Sequence, residues 1–300
     1  MIKTLITIVG PTGIGKTALS IAFAKAYSTH IISCDSRQFY KEMSIGTAVP
    51  SAEELSEAPH HFIQNKSIHE RFTVGDFEKE ALEIITKLFE ANDVLIMVGG
   101  SALYEKAVTH GLDEFQAVSE EIKQHVQEKY EQRGLLWLQD ELRLLDPVYF
   151  EEVDVQNAQR LLRAVSFIKS SGKKFSEQRT AKAKQRPFNV VKIGLEAARE
   201  TLYNRINLRV DDMVAAGLIE EAISLEPHKE LNALQTVGYR EIYDSIATGS
   251  SMDDAISLIK QNTRRFAKRQ LTWYRKETDV TWFNYKTCYT EIVEQVRKLL

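Results

Sequence analysis

Residues 10–17 read GPTGIGKT and match G-x-x-x-x-G-K-[ST]. The run has meaning only between a buried strand and a helix, and both flanks are present. Residues 4–9, TLITIV, are β-branched and aliphatic, as a parallel strand covered on both faces must be. Residues 17–27 carry Leu19, Ala22, Phe23 and Ala26 on one helical stripe. Glycines at such a turn let the backbone approach phosphate oxygens, with successive N–H groups pointing inward. The N-terminus of the following helix adds the positive end of its dipole. Lys16 supplies a full charge, and the Thr17 hydroxyl is suited to ligating Mg²⁺. The run alone predicts a diphosphate or polyphosphate site on an α/β sheet.

The rest of the N-terminal part agrees. A second strand is expected at residues 30–34 and a third at 94–98, the latter after an amphipathic helix at 74–91. This β-α-β alternation predicts an α/β fold, a P-loop NTPase-like parallel sheet flanked by helices. Residues 115–186 change character: 120–132, 135–145 and 156–170 read as helices, and 173–186 is polar and basic with no core face. Strand character returns at 189–195. Helices are then expected at 200–216, 219–225, 239–248 and 252–276, a short strand at 281–284, and a closing helix. We therefore expect a catalytic core from 1–114 and 187–300 and a helical insertion domain at 115–186.

With 300 residues, 43% of them hydrophobic, the chain can bury a sizeable core. Its formal net charge is −3, so any RNA binding must rest on local positive charge. Two basic clusters qualify. One comprises Lys173, Lys174, Arg179, Lys182, Lys184 and Arg186. The other comprises Arg264, Arg265, Lys268, Arg269, Arg275 and Lys276, interleaved with Phe266, Trp273 and Tyr274. A solvated helix face explains either cluster as well. Cys34 and Cys288 are too few for a disulfide framework or a metal site. The first residues are apolar for too short a run to form a signal peptide, and no run approaches a membrane span. A cytoplasmic monomer is expected.

Asp35 follows the second strand, on the edge of the sheet where ligands bind. It fits a general base or a water-mediated Mg²⁺ contact, and it equally fits a turn or cap aspartate. The strand at 94–98 runs into Gly99, Gly100 and Ser101 with no carboxylate at its end. P-loop NTPases ordinarily hold Mg²⁺ with such an acid, so a different diphosphate ligand is favoured.

GPTGIGKT, ISCDSRQFYKEMSIGTAVPS, APHH, VGGSALY, QRLLRA, VGYRE and TRRFAKRQLTWYR occur in one order along the chain. Together they resemble the tRNA isopentenyl transferase family. The resemblance implies transfer of a dimethylallyl group from dimethylallyl diphosphate to N6 of the adenosine 3′-adjacent to the anticodon of tRNA, with Mg²⁺ as cofactor. It implies a diphosphate cradle of Gly10, Pro11, Thr12, Gly13, Ile14, Gly15, Lys16 and Thr17, joined by Arg205 and Arg209. It makes Asp35 the general base and places Lys16, Thr17 and Arg209 with it in catalysis. The implied tRNA contacts are Asp35, Ser36, Arg37, Gln38, Ser101, Lys123, Gln159, Arg160, Leu161, Leu162 and Arg163, to which the second basic cluster adds Lys268 and Arg269. Three positions depart from the family's pattern: Ser101 stands where Thr is common, Lys123 where Arg is common, and APHHFIQ replaces a run that carries an acid.

Two other functions fit parts of the chain. A nucleotide kinase or adenylate prenyltransferase would use the phosphate loop but needs neither the helical insertion nor the basic C-terminal helix. A non-catalytic RNA-binding module would have no use for the phosphate loop beside Asp35.

Overall fold

The computed structural model describes residues 3–180 and 182–300. Its elements in chain order are β1 (Thr4–Val9), α1 (Lys16–Tyr27), β2 (Ile31–Ser33), α2 (Ala52–Glu57), β3 (His60–His61), α3 (Val74–Leu88), β4 (Val94–Val98) and α4 (Ala102–His110). There follow α5 (Glu120–Leu145), α6 (Pro147–Glu152), α7 (Ala158–Ser171), α8 (Phe175–Gln178), β5 (Asn189–Glu196) and α9 (Arg199–Ala215). The chain ends with α10 (Leu218–Leu225), α11 (Arg240–Thr248), α12 (Met252–Tyr274), β6 (Val280–Asn284) and α13 (Tyr289–Arg297). Two compact units form, one from the residues up to Thr109 with Arg186–Leu300, the other His110–Gln185.

The first unit is built on a six-stranded sheet in the order β3-β2-β4-β1-β5-β6, every pairing parallel. β1 lies inside, and all six of its residues are buried. Alternation sends Ile6 and Ile8 to one face, with Leu19 and Phe23 of α1, and Leu5 to the other, with Phe77, Ala81 and Ile85 of α3. This sandwich of helix, sheet and helix is the α/β, P-loop NTPase-like fold expected. The two-residue β3 had no sequence signal, because His60–His61 is too short to show alternation. Parallel strands bring the ends of β1, β2 and β4 to one edge, where the loop after β1, Asp35 and Gly99–Gly100 meet.

One buried charge cluster braces this sheet. Lys192, mid-strand in β5, has a side chain 1% exposed and shares its ammonium among Glu105 of α4 at 3.4 Å, Asp279 at 3.7 Å, and Glu277. With one cation among three carboxylates, the deepest acid keeps its proton to higher pH than a free carboxyl does. Burial, reinforced by Glu277 and only partly offset by Lys192, raises Glu105 from 4.5 to about 7. Burial opposes the charge on Lys192, but Glu105 and Glu277 outweigh it and raise the group. A folded carboxyl that titrates above its unfolded value gives stability that is full below 4.5 and is lost as pH rises to about 7. Glu105→Gln mimics the protonated form at every pH. Its melting temperature should therefore fall less than the original's between about pH 5 and about pH 8. Thermal melts at the two values check this, and a steeper fall in the variant would contradict it.

The second unit is helical. α5 is kinked at Gly134, whose φ of 75° and ψ of −173° are non-helical, and α7 packs along it through Leu138, Leu142, Leu161 and Val165. Asp146, fully buried, accepts from Tyr149 N–H and from both the backbone and the hydroxyl of Ser176. The expectation that 173–186 has no core face is corrected by Phe175. Its ring stacks on Phe115 at 4.6 Å and packs against Tyr149 and Phe167. A single aromatic in a basic run gives no periodicity to read. Among the described residues no helix is long and apolar enough to cross a membrane.

Candidate active site

The loop leaving β1 turns back over the sheet at once. Gly10, at φ 138°, passes so close to β5 that a Cβ there would stand 2.8 Å from the Leu195 carbonyl oxygen. α1 starts at Lys16, so the loop's N–H groups and the helix N-terminus share one concavity. The Lys16 ammonium donates to the Gly10 oxygen at 3.0 Å and the Pro11 oxygen at 2.8 Å. Burial lowers Lys16 from 10.5 to about 8, with Asp35 opposing the fall and Arg209 adding to it. From α9, Arg205 donates to the Gly13 oxygen at 2.8 Å, and Arg209 lies one turn further on. Burial also lowers Arg209 below its ordinary value, again opposed by Asp35.

Asp35 makes a turn contact and lines the cavity. Its Oδ1 accepts the Arg37 N–H at 3.1 Å, as a turn aspartate does. Its Oδ2 lies beside Gly100, 3.5 Å from where a Cβ at that residue would stand. Asp35 and Lys16 line one cavity of about 430 Å³, together with Thr12, Thr17, Arg205 and Arg209. A second cavity of about 590 Å³ adjoins it and is walled by apolar side chains such as Ile206, Val210, Met213 and Trp273. Thr12, Asp35, Gly100, Arg209, Phe266 and Gln270 line both. Asp35 and Arg209 therefore stand where a phosphate-type cavity opens into an apolar one.

Other expected residues divide. Ser36 and Ser101 join here: the Ser36 N–H donates to the Ser101 hydroxyl at 3.0 Å, and the two hydroxyls are 2.9 Å apart. Arg37 and Gln38 line the cavities while holding loops in place. Arg37 donates to the Asn232 and Ala233 oxygens, Gln38 to those of Thr47 and Ala48. Within the loop, Ile14 is 1% exposed, packs into the core and lines neither cavity. Pro11, without an N–H, contributes its oxygen to Lys16. Lys123 and Gln159–Arg163 belong to the helical unit. There Gln159, Arg160 and Arg163 are exposed, and Lys123 pairs with Glu120 at 2.6 Å. Leu161 and Leu162 are corrected: both are buried in that unit's core, as the inward stripe of α7 requires, and their side chains cannot touch RNA.

The basic clusters are corrected in part. In the first, Arg179 pairs with Glu152, Lys184 with Glu114, and Arg186 with Glu78 at 2.7 Å, where both side chains are largely buried. In the second, Tyr274 is fully buried, Arg264 donates to Asn207, and Arg275 meets Glu196. Lys268, Arg269, Phe266 and Trp273 are exposed on α12, with Arg269 over the Phe266 ring at 5.7 Å.

Two residues were not foreseen. Gln270, 5% exposed, accepts the Thr12 N–H at 2.9 Å and donates to the Gly100 oxygen at 2.7 Å. Its signal was an amide on the apolar stripe Ile259, Ala267, Tyr274. Glu221 of α10 accepts the N–H groups of Ser44, Ile45 and Gly46 and the Tyr239 hydroxyl, and so folds the loop that Gln38 holds. One of two adjacent acids on a surface helix carries no comparable signal.

Known proteins agree with this architecture. The profile of the family described as IPP transferase matches residues 38–277, beginning just after Asp35. The tRNA dimethylallyltransferase of Flavobacterium johnsoniae is 51% identical, the match covering 98% of this chain and 97% of that one. The solved tRNA isopentenylpyrophosphate transferase of Bacillus halodurans superposes with a TM-score of 0.73 at 36% identity, covering 99% of this chain and 95% of that one. A eukaryotic dimethylallyltransferase, solved acting on tRNA, shares the fold with a TM-score of 0.82 at 23% identity, over 99% of this chain and 77% of its own. A profile spanning most of the chain and full-length relatives at such identity make it a member of the IPP transferase family.

Proposed function

We propose that this chain is a tRNA dimethylallyltransferase, moving the dimethylallyl group of dimethylallyl diphosphate to N6 of the adenosine 3′-adjacent to the anticodon and releasing diphosphate. The observation that carries the reading is Asp35 and Arg209 at the junction of the two cavities, with Lys16 on the phosphate side. The adenine N6 lone pair is delocalised into the ring and attacks poorly. As the N–C bond forms, Asp35 accepts one N6 proton, a general-base contribution of about 10²–10⁴ in rate. The allylic C–O bond breaks, and its electron pair leaves with the diphosphate. Lys16, the loop N–H groups and Arg209 stabilise the charge that develops there. The apolar walls of the second cavity keep water from the cation-like carbon.

Mg²⁺ fits the site. Thr17 presents an oxygen donor on the first cavity, and Mg²⁺ bound to substrate phosphates takes few protein ligands and keeps several waters. Thr17 would hold it, and when bound the ion would neutralise diphosphate charge. The adenine reaches the cavity by leaving its stack, which costs a few kcal/mol or less in a loop. RNA contacts come from Ser36, Ser101, Lys268 and Arg269 in the first unit and from Lys123, Gln159, Arg160 and Arg163 in the second. The protein acts as a cytoplasmic monomer.

Mass spectrometry of tRNA nucleosides after incubation with the donor tests the reaction. A mass gain of one prenyl group confined to adenosine supports it, and an unmodified tRNA pool overturns it. Replacing Lys268 and Arg269 together with Ala should weaken tRNA binding while leaving donor affinity unchanged. Each phosphate contact on single-stranded RNA contributes about −0.7 to the slope of log affinity against log salt, so the slope should shrink by about 1.4. Both side chains are exposed, so melting temperature should hold. An unchanged slope in the folded variant would move the RNA surface away from α12.

A further inference from the structure

The Gln270 amide lies between the two halves of the proposed chemistry. Its oxygen faces the Thr12 N–H of the phosphate loop at 2.9 Å, and its nitrogen faces the Gly100 carbonyl beyond β4 at 2.7 Å. The orientation of the amide is forced, since a backbone N–H only donates and a carbonyl only accepts. Gly100 is shaped to admit it: a Cβ there would stand 2.5 Å from the Gln270 nitrogen. The same Gly100 abuts Asp35 Oδ2, and Gln270 lines both cavities. The side chain therefore clamps the segment beside the base to the loop beside the leaving group.

We infer that Gln270 is a positioning residue for the transfer: its buried amide fixes the distance between the diphosphate loop and Asp35. This rests on the function proposed above. A side chain that only filled space would be replaceable by an apolar one of similar length. A side chain that sets spacing is replaceable only by another that offers one acceptor and one donor in the same places.

Turnover of the original chain, Gln270→Met and Gln270→Glu is measured with saturating donor and tRNA across pH, alongside donor KM and tRNA Kd. Gln270→Met should lower kcat about 100-fold, the scale of a ~1 Å misplacement, with donor KM and tRNA Kd within about threefold. In Gln270→Glu the carboxylate still accepts from Thr12 but opposes the Gly100 oxygen with a lone pair. Only its protonated form reproduces both bonds, and burial favours that form. The ratio of its kcat to the original's should rise about tenfold or more from about pH 8.5 to about pH 6.5. Taking the ratio removes any pH dependence that the two proteins share. A flat ratio, or a Gln270→Met variant within about threefold of the original kcat, would overturn the inference. Should Gln270→Met fail to fold, the Gln270→Glu ratio decides alone. An original chain that transfers nothing to tRNA overturns the proposed function first, and this inference with it.

Discussion

Asp35→Asn is expected to lower transfer to tRNA by about 10²–10⁴, the range of a lost general base, while tRNA affinity stays within a few-fold. Asparagine keeps the shape of the side chain. Its carbonyl oxygen can still accept the Arg37 N–H that Asp35 accepts at 3.1 Å, so the turn after β2 should survive and melting temperature should barely move. What disappears is the second oxygen's ability to take a proton beside Gly100. The variant also removes a negative charge that holds Lys16 up, so Lys16 should lose its proton at lower pH than in the original. Diphosphate binding should then weaken at a lower pH in the variant, a signature unrelated to turnover. Single-turnover rates and pyrophosphate titrations check both effects. Turnover within about tenfold of the original would remove Asp35 from the role of base.

The parts of this molecule that could be read from its sequence are those in which a local pattern has one physical cause. TLITIV before GPTGIGKT had to be an inner strand, and β1 is buried throughout. The kink of α5 was readable as a gap between two helical stripes, because a glycine there spoils the period. Asp35 was readable as a strand-end acid, although its turn-forming Oδ1 and cavity-side Oδ2 could not be separated without coordinates. What stayed hidden depends on partners far along the chain. Gln270 acquires meaning only when α12 is laid against Thr12 and Gly100, 258 and 170 residues away. The basic clusters looked richer than they are because Glu78, Glu114 and Glu152, distant in sequence, neutralise Arg186, Lys184 and Arg179. The buried leucines of α7 were grouped with their exposed neighbours because motif resemblance transfers whole runs, whereas a helix turns each residue through about 100°.

Lys16→Ala should reduce both donor binding and turnover by about 10²–10³, the cost of losing one preorganised donor to a developing oxyanion. The phosphate loop offers diphosphate its N–H dipoles, Lys16 and the Thr17 hydroxyl, and α9 adds Arg205 and Arg209. In the free protein the ammonium is satisfied by the Gly10 and Pro11 oxygens, and burial brings it down to about 8. A lysine whose folded value lies below its ordinary 10.5 destabilises the fold while charged, so this cost is present below about 8 and is relieved as pH rises toward 10.5. Truncation removes a partly buried charge along with its two hydrogen bonds, and near neutral pH these effects oppose each other, so melting temperature should change little. Binding responds in the opposite sense to folding. Diphosphate needs the charged amine, so its affinity for the original chain should fall as pH rises through about 8, by about tenfold per unit once Lys16 is mostly neutral. In Lys16→Ala affinity should be low throughout and this fall absent, while tRNA affinity remains within a few-fold. Calorimetric titration of pyrophosphate at several pH values, with tRNA binding measured in parallel, separates the outcomes. A variant that keeps both the affinity and its pH dependence would mean that the diphosphate is not held by this loop.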